Sequence, residues 1–443
     1  TYTYDSSGRL ASTTDARSGA TTYAYDASDR LASVTTPDPD PARSGPGYDP
    51  QTTSYTYGAM GRVSAVTQPD SGVVNTTYYP TGAVKRTWGA RTYPVEYSYD
   101  VQGRVKTLTT WQDFAGDTGR AVTTWNYDGG RGWLLNKRYP DNTGPSYGYT
   151  AAGRLRARTW ARGLSTAYTY NNAGEVSFVD YSDATPDATL VYDRTGRPKT
   201  IADGSGSRTL TYHPSGQLED ETYTTGLLNG FVIDRSFDSL ARLSGLATLN
   251  PQLSTLNSAT YAYDAASRLQ TIASGQNTVN YAYEPNSALV QSVTFSQSGN
   301  SRLATAKNYD KLNRLTSISS APSAASALNY LYTYNAANQR TRATREDNAY
   351  WSYAYDALGQ VTAGKKLLAD NSAALGLDFA YSFDDIGNRK TATANAQLST
   401  YTSTLLNQYL QRTVPAVLDV SGAALSGVPV AVSAGSYAAL ATR

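Results

Sequence analysis

The chain reads as an all-β protein built from tandem β-hairpins, and three observations say so. Tyrosine is in large excess, 37 Tyr against 7 Phe in 443 residues. A short unit recurs along nearly the whole length. Within each unit, turn-forming residues fall at fixed offsets between alternating strand residues.

The tyrosine excess is a sheet signature. Phe serves a dry core better, whereas Tyr suits a thin wall in which the ring packs and the hydroxyl reaches water or a neighbour. A sheet wetted on at least one face is therefore expected.

The recurring unit is Tyr-x-Tyr-Asp-x-x-Gly-Arg-Leu, purest at Tyr2-Thr3-Tyr4-Asp5-Ser6-Ser7-Gly8-Arg9-Leu10 and at Tyr97-Ser98-Tyr99-Asp100-Val101-Gln102-Gly103-Arg104-Val105, with close copies at Tyr147 to Leu155 and Tyr261 to Leu269. Taking the residue after the second aromatic as the marker, copies stand at Asp5, Asp26, Gly58, Tyr79, Asp100, Asp128, Thr150, Asn171, Asp193, His213, Asp238, Asp264, Glu284, Asp310, Asn335, Asp356 and Asp384. The mean step is about 24 residues, within the range of repeat arrays.

Each part of the unit has a local cause. Tyr-x-Tyr alternates with period two and puts both rings on one face of a strand. An Asp or Asn at the first turn position accepts bonds from the backbone two residues on. The Gly three residues later supplies positive φ, as a type I turn closing in a bulge requires. Asp5 with Gly8, Asp100 with Gly103, Asp193 with Gly196, Asp356 with Gly359, and Asp264 are thus read as turn residues. Where the Gly is replaced, by Asp29 or Asn313, the substitute tolerates a left-handed backbone. Tyr2, Tyr4 and Arg9, Tyr97, Tyr99 and Arg104, and Tyr261, Tyr263 and Arg268 are read as a ladder linking neighbouring hairpins.

Variation in step length sits between hairpins. The segment Thr36 to Gly47 is Pro-rich and is expected to be an exposed loop. Further insertions lie at Asp113 to Arg120 and at Gly226 to Gly230. The array is expected to span residues 1–413, with Tyr401 to Thr413 as a short helix or irregular plug. The Ala/Val/Ser/Gly-rich tail 414–443, with alternation at Val428 to Val432, reads as the start of a truncated β module.

Charge and composition exclude several functions. With 38 basic and 36 acidic residues, net +2, there is no global field to gather nucleic acid. No apolar run approaches the roughly 18 residues of a spanning helix. The absence of Cys removes disulfides, thiolate metal sites and a cysteine nucleophile, and leaves the redox compartment open. The chain opens inside a repeat, so the native N-terminus and any export signal are expected upstream.

The candidates for chemistry are few. The lone histidine, His213, stands at a turn marker, where Asp usually sits, without a displayed nucleophile or orienting acid. An Asp recurring in most hairpins does one local job repeatedly, unlike a catalytic carboxylate pair with split pKa values. Glu219-Asp220-Glu221 lacks the oxygen-ligand spacing of a calcium loop and reads as a solvated strand end. The recurrent Arg9, Arg30, Arg62, Arg104, Arg154, Arg197, Arg268 and Arg314 read as pairing with turn Asp or stacking on Tyr of the adjacent hairpin, with phosphate or sugar recognition as the alternative. Phosphate-binding, zinc-protease and nucleophile-elbow motifs are all missing. No cofactor, no metal and no enzymatic activity are expected.

The units resemble the YD repeats of bacterial Rhs polymorphic-toxin proteins and of the animal teneurins. That resemblance implies a spiral of hairpins forming one continuous sheet wound into a hollow barrel or cocoon, which 17 hairpins either close or leave incomplete. It also implies a shell, exported or at the cell surface, that encloses the protein's own C-terminal effector or another polypeptide. The bacterial proteins carry an Asp-Pro-x-Gly-type self-cleavage element beyond the shell. Here Asp38-Pro39, Asp40-Pro41 and Asp49-Pro50 lie at the opposite end, so neither cleavage site nor toxin is assigned. The alternative function is a cell-surface adhesion module whose Tyr and Arg rows bind glycans or proteins.

Overall fold

The computed structural model describes residues 1–45, 47–250, 254–416, 429–434 and 437–440. It comprises two units, one of Thr1–Thr21, Glu96–Thr109 and Ala121–Asn329, the other of Thr22–Val95, Thr110–Arg120 and Tyr330–Arg443.

Both units are built of antiparallel strands and turns. In the first, Ala188–Tyr192 pairs with Pro198–Asp203, and Ser254–Tyr263 with Leu269–Ser274. In the second, Thr52–Tyr57 pairs with Val63–Thr67, and Ala373–Phe383 with Arg389–Ala394. Connecting ladders such as that of Pro198–Asp203 with Gly206–Tyr212 join one hairpin to the next. Strand therefore follows strand in chain order, in a 36-stranded sheet that no ladder closes among the described residues. A separate two-stranded sheet pairs Ala431–Ala434 with Tyr437–Leu440.

The repeat turn has one backbone design. The Asp100 N–H donates to the Arg104 carbonyl at 2.9 Å, and the Gly103 N–H returns to the Asp100 carbonyl at 3.0 Å. The same pair of bonds closes the turn at all 17 markers, with both bonds stretched by one residue at Asp128 and only the first at Glu284. Opposite the turn the ladder slips at the second aromatic: Ala262 faces Thr271, but Tyr263 faces Leu269. That slip is the bulge that the left-handed fourth position generates.

Asp29 and Asn313 take that position with φ of 60° and 63°. Less suited residues also occupy it, Ala241 at 61° and Ser267 at 62°. A Cβ is disfavoured there by local sterics. We therefore expect Ala241→Gly to stabilise its hairpin by about 0.5–1 kcal/mol. At Gly103 (φ 80°) an added Cβ would meet nothing within 4 Å, so Gly103→Ala should cost a similar amount through backbone strain alone. Urea midpoints of the two variants check both signs.

Two expectations need correction. Residues 401–413 are neither helix nor plug. Gln397–Ser403 pairs with Tyr409–Arg412, the Thr404 N–H donates to the Gln408 carbonyl at 2.8 Å, and the Asn407 N–H to the Thr404 carbonyl at 3.0 Å. This is an eighteenth repeat turn, disguised because Thr replaces Asp and Asn replaces Gly. The Asp113 to Arg120 insertion does lie between hairpins, joining the Asp100 hairpin to the Asp128 hairpin. It lengthens Val105–Asp113 and Thr118–Tyr127 into nine- and ten-residue strands around a tight turn. The Pro-rich segment is only partly exposed: Pro39 and Gly47 are buried, and just beyond it the buried Gln51 exchanges amide hydrogen bonds with Asn338 at 3.1 Å in both directions. Gly47 allows this docking, since a Cβ there would fall 2.2 Å from the Tyr334 carbonyl oxygen.

Burial matches a thin wall. Among the described residues the buried hydrophobic side chains are only Trp111, Ala121, Leu210, Ala343 and Ala349, and most strand residues are half-buried. Cohesion must then come from the contacts between hairpins, which makes the turns the place to look for the molecule's chemistry.

Candidate functional site

At each standard turn one carboxylate is held by three donors. Asp100 Oδ1 accepts the backbone N–H groups of Gln102 and Arg104, both at 2.9 Å, and Oδ2 accepts Arg104 Nε at 2.6 Å. Asp5 repeats this with Ser7 and Arg9, at 2.9, 2.9 and 2.8 Å. Asp26, Asp193, Asp238, Asp264 and Asp310 do the same with Arg30, Arg197, Arg242, Arg268 and Arg314.

The arginine so fixed also holds the following hairpin. Its guanidinium lies over the second Tyr of the next unit, at 4.2 Å for Arg104 over Tyr127, 4.3 Å for Arg197 over Tyr212, and 4.4 Å for both Arg242 over Tyr263 and Arg268 over Tyr283. That same Tyr donates its hydroxyl to the carbonyl just after the arginine: Tyr127 to Val105 at 2.9 Å, Tyr212 to Pro198 at 2.6 Å, Tyr263 to Leu243 at 2.8 Å. Arg104 Nη1 reaches the Gly132 carbonyl of the next turn at 3.0 Å. At these turns one Asp, one Arg and one Tyr thus clasp a hairpin to its successor. A Phe would fill the same space but forgo that hydrogen bond, which favours Tyr over Phe at this position. At the first hairpin, Tyr2 and Tyr4 are exposed. Tyr97 and Tyr99 stack along their strand with centroids 6.4 Å apart, and Tyr261 faces Ile272 across its ladder.

The clasp tolerates changes of identity that keep donor facing acceptor. Asp356 accepts Gln360 Nε2 at 3.1 Å, with Gly359 (φ 83°) completing the turn as Gly196 (φ 82°) and Gly8 (φ 76°) do in theirs. Asn335 donates to Gln339 Oε1 at 2.9 Å, and Asp384 accepts Asn388 Nδ2 at 2.8 Å. At the third repeat turn after Asp100 the roles are reversed: Asn171 Nδ2 donates to Glu175 Oε2 at 2.7 Å. These partners, invisible in the Asp-Gly-Arg lettering, were missed because only identity was followed. The signal was a complementary pair four residues apart.

Six turn carboxylates, Asp5, Asp26, Asp100, Asp193, Asp238 and Asp264, are held acidic. Arg30, through its guanidinium and then its backbone N–H, keeps Asp26 below the usual carboxylate range, and Arg242 does the same for Asp238. Asp203, on a connecting turn, is lowered to about 2, first by the Ser205 hydroxyl and backbone, then by Arg208. A folded-state pKa below the unfolded value contributes stability above that unfolded value, near 4, and the contribution disappears as pH falls through the folded pKa. The urea midpoint should therefore drop between about pH 4 and pH 2, and Asp26→Asn with Asp238→Asn should flatten the drop. An unchanged pH profile in the double variant would refute the assignment.

The remaining candidates resolve into structure. His213 contacts the Ser215 hydroxyl within its own turn, receives the Ser215 N–H at 3.3 Å, and lies 5.6 Å from the Phe237 ring. Ser215 in turn contacts Gln217, so the cluster is exposed turn bonding. Glu219-Asp220-Glu221 is no solvated strand end but the middle of the strand Leu218–Tyr223. Glu221 lies 3.1 Å from Arg208 and 3.7 Å from Arg235, because alternation turns it toward the basic residues of both neighbouring strands. Among the described residues no group of three or more His, Cys, Asp and Glu could hold a metal ion, and no helix is long and apolar enough to cross a membrane.

Comparison with known proteins agrees with this geometry. Residues 4–40 match the RHS repeat and residues 95–306 the teneurin YD-shell. Among curated proteins none matches. Of solved structures, that of TcdB2-TccC3 superposes with a TM-score of 0.53 at 16% identity, over 93% of this chain and 23% of that one. TcdB2-TccC3-Cdc42 gives 0.50 at 15%, and TcdB2-TccC3 without its hypervariable C-terminal region 0.50 at 14%, with the same coverages. The chain thus spans about a quarter of the length of the solved chains it matches, and the likeness is one of fold. Residues 4–40 thus carry an RHS repeat and residues 95–306 a teneurin YD-shell region, in keeping with the clasped hairpins and the repeat lettering.

Proposed function

We propose that this chain is wall material of a shell that encloses a polypeptide, the C-terminal effector of the protein to which it belongs, and that the shell is exported or displayed at the cell surface. The observation that carries the reading is the clasp. It recurs along the array and fastens hairpin to hairpin while leaving almost no buried core, which is how a chain makes area instead of volume. The likeness to TcdB2-TccC3, one form of which is described by the lack of a hypervariable C-terminal region, supports a shell followed by a variable segment.

Small-angle scattering tests the wall directly. A compact filled particle of this length has a radius of gyration of about 22 Å. A thin wall gives a larger value and the intensity decay of a sheet. For enclosure, a reporter polypeptide fused after Arg443 should resist protease while the wall is intact. Equal cleavage of fused and free reporter would refute it, and a filled compact particle would refute the wall itself.

A further inference from the structure

Two repeats keep the arginine of the clasp without the carboxylate; at Thr150 a hydroxyl accepts the Arg154 N–H at 3.1 Å in its place, whereas at Gly58 the turn residue has no side chain at all. In Gly58-Ala59-Met60-Gly61-Arg62 the turn itself is intact, with the Gly58 N–H on the Arg62 carbonyl and the Gly61 N–H on the Gly58 carbonyl, both at 2.9 Å. Arg62 still reaches forward, its Nη1 donating to the Tyr79 carbonyl at 3.1 Å and its guanidinium 5.3 Å from the Tyr78 ring centroid. Tyr78 closes the contact by donating its hydroxyl to the Val63 carbonyl at 2.8 Å. A Cβ at Gly82 of the next turn would lie 3.5 Å from the guanidinium carbon. The side chain therefore reaches the next turn as its counterparts do, but lies farther from the ring than their 4.2–4.4 Å and bonds the first carbonyl of that turn.

The seven Asp-Arg turns define what such an arginine and its turn bind. In each, the backbone N–H groups two and four residues after the Asp, and the arginine Nε, converge on one carboxylate at 2.6–3.0 Å, as at Asp26 with Ser28 and Arg30 (2.8, 3.0 and 2.8 Å). The corresponding donors here are the N–H groups of Met60 and Arg62 and the Arg62 Nε. Instead of a carboxylate they border a cleft of about 510 Å³ lined by Met60, Arg62, Thr76, Tyr78, Tyr79 and Pro80. Met60 at its edge is 75% exposed.

We propose that this cleft is a carboxylate-binding site, in which a carboxylate from outside the chain takes the place that the turn Asp holds elsewhere. The three donors are prearranged by the turn, so binding requires little ordering, and a carboxylate on two amides and a guanidinium makes charge-assisted bonds. Met60, Pro80 and the Tyr78 ring offer apolar contact to the stem that carries it. The ligand class is an acid with a short aliphatic stem, either a free carboxylic acid or the side chain of an Asp or Glu on a polypeptide lying against the wall. The inference stands whether or not the wall encloses an effector.

Hexanoate, hexanamide and an acetylated, amidated peptide Gly-Ser-Glu-Ser-Gly are the probes, titrated against the full chain by saturation-transfer NMR. Hexanoate is expected to bind with a Kd on the order of millimolar, and hexanamide at least tenfold more weakly. Peptide binding stronger than hexanoate identifies a polypeptide as the source, and weaker binding a free acid. The decisive variant is Gly58→Asp. A Cβ at Gly58 meets nothing closer than 3.8 Å, so the new carboxylate restores the internal clasp, raises the urea midpoint and reduces hexanoate binding at least tenfold. Arg62→Gln should reduce it as much. Equal binding of hexanoate to Gly58→Asp and to the unaltered chain, or no binding at 50-fold the expected Kd, overturns the proposal.

Discussion

Replacing Trp111 by Ala should cost the second unit about 3–5 kcal/mol, in the range seen for large aromatic residues removed from packed sites. Trp111 is the largest fully buried side chain described, 1% exposed in a protein that buries little else. Its indole Nε1 donates to Asp117 Oδ1 at 2.6 Å across the hairpin turn, and its ring meets Phe114 edge-on at 5.2 Å. Arg86 and Arg120 lie 5.5 and 5.6 Å from its centroid. The same tip is tied to a distant repeat turn, with the Phe114 N–H on Asp385 Oδ2 at 2.7 Å and the Asp385 N–H on the Gln112 carbonyl at 3.0 Å. Loss of the indole should thus loosen two chain segments about 270 residues apart. Hydrogen exchange should rise in 110–120 and 384–388 together. A variant whose midpoint matches the unaltered protein, or exchange confined to 110–120, would show that Trp111 does not organise the contact.

Tyr263→Ala should cost about 3 kcal/mol, and Tyr263→Phe about 1. The difference separates two roles. Phe keeps the ring beneath Arg242, 4.4 Å from the centroid, and loses only the 2.8 Å bond from the hydroxyl to the Leu243 carbonyl. Ala loses both, and leaves Arg242 fastened to Asp238 at 2.7 Å with no ring to cover. In an array whose units touch mainly their neighbours, the damage stays local. Exchange should rise in 238–274 and stay unchanged near Tyr192. Equal effects of Phe and Ala would mean the ring contributes nothing to the clasp.

How far the sequence reveals this molecule depends on which interactions are local. The turns were legible because their chemistry lies within five residues: Asp100, Gly103 and Arg104 dictate one another. The expectation for 404–408 failed for the same reason, since Thr404 and Asn407 satisfy the backbone demands of the turn with letters that do not match. Connecting turns also escaped notice. Asn142, Asn348 and Asn371 hold left-handed backbone at φ of 64°, 62° and 68°, and Asp141 and Asp370 accept the N–H two residues on at 2.9 Å. Those turns repeat the Asp-Asn logic at the opposite ends of the hairpins, without a Tyr pair to flag them. Contacts over long separations were beyond reach. Nothing in the Pro-rich segment announces that Gln51 pairs with Asn338, and nothing around Gln112 that Asp385 meets it. Such pairs depend on how hairpins stack, which no local pattern encodes.

That strand follows strand in chain order has a mechanical consequence. A chain drawn from one end loads the hydrogen bonds of its outermost hairpin one after another, as a zipper opens, instead of shearing many at once. Each released unit of about 24 residues lengthens the chain by roughly 80 Å at full extension. Under an optical trap the wall should come apart in a staircase of steps of that size at low force, with larger resistance where Arg17 grips Asn313 and where Gln51 grips Asn338. A sheet of this kind yields most easily to a pull along its thread.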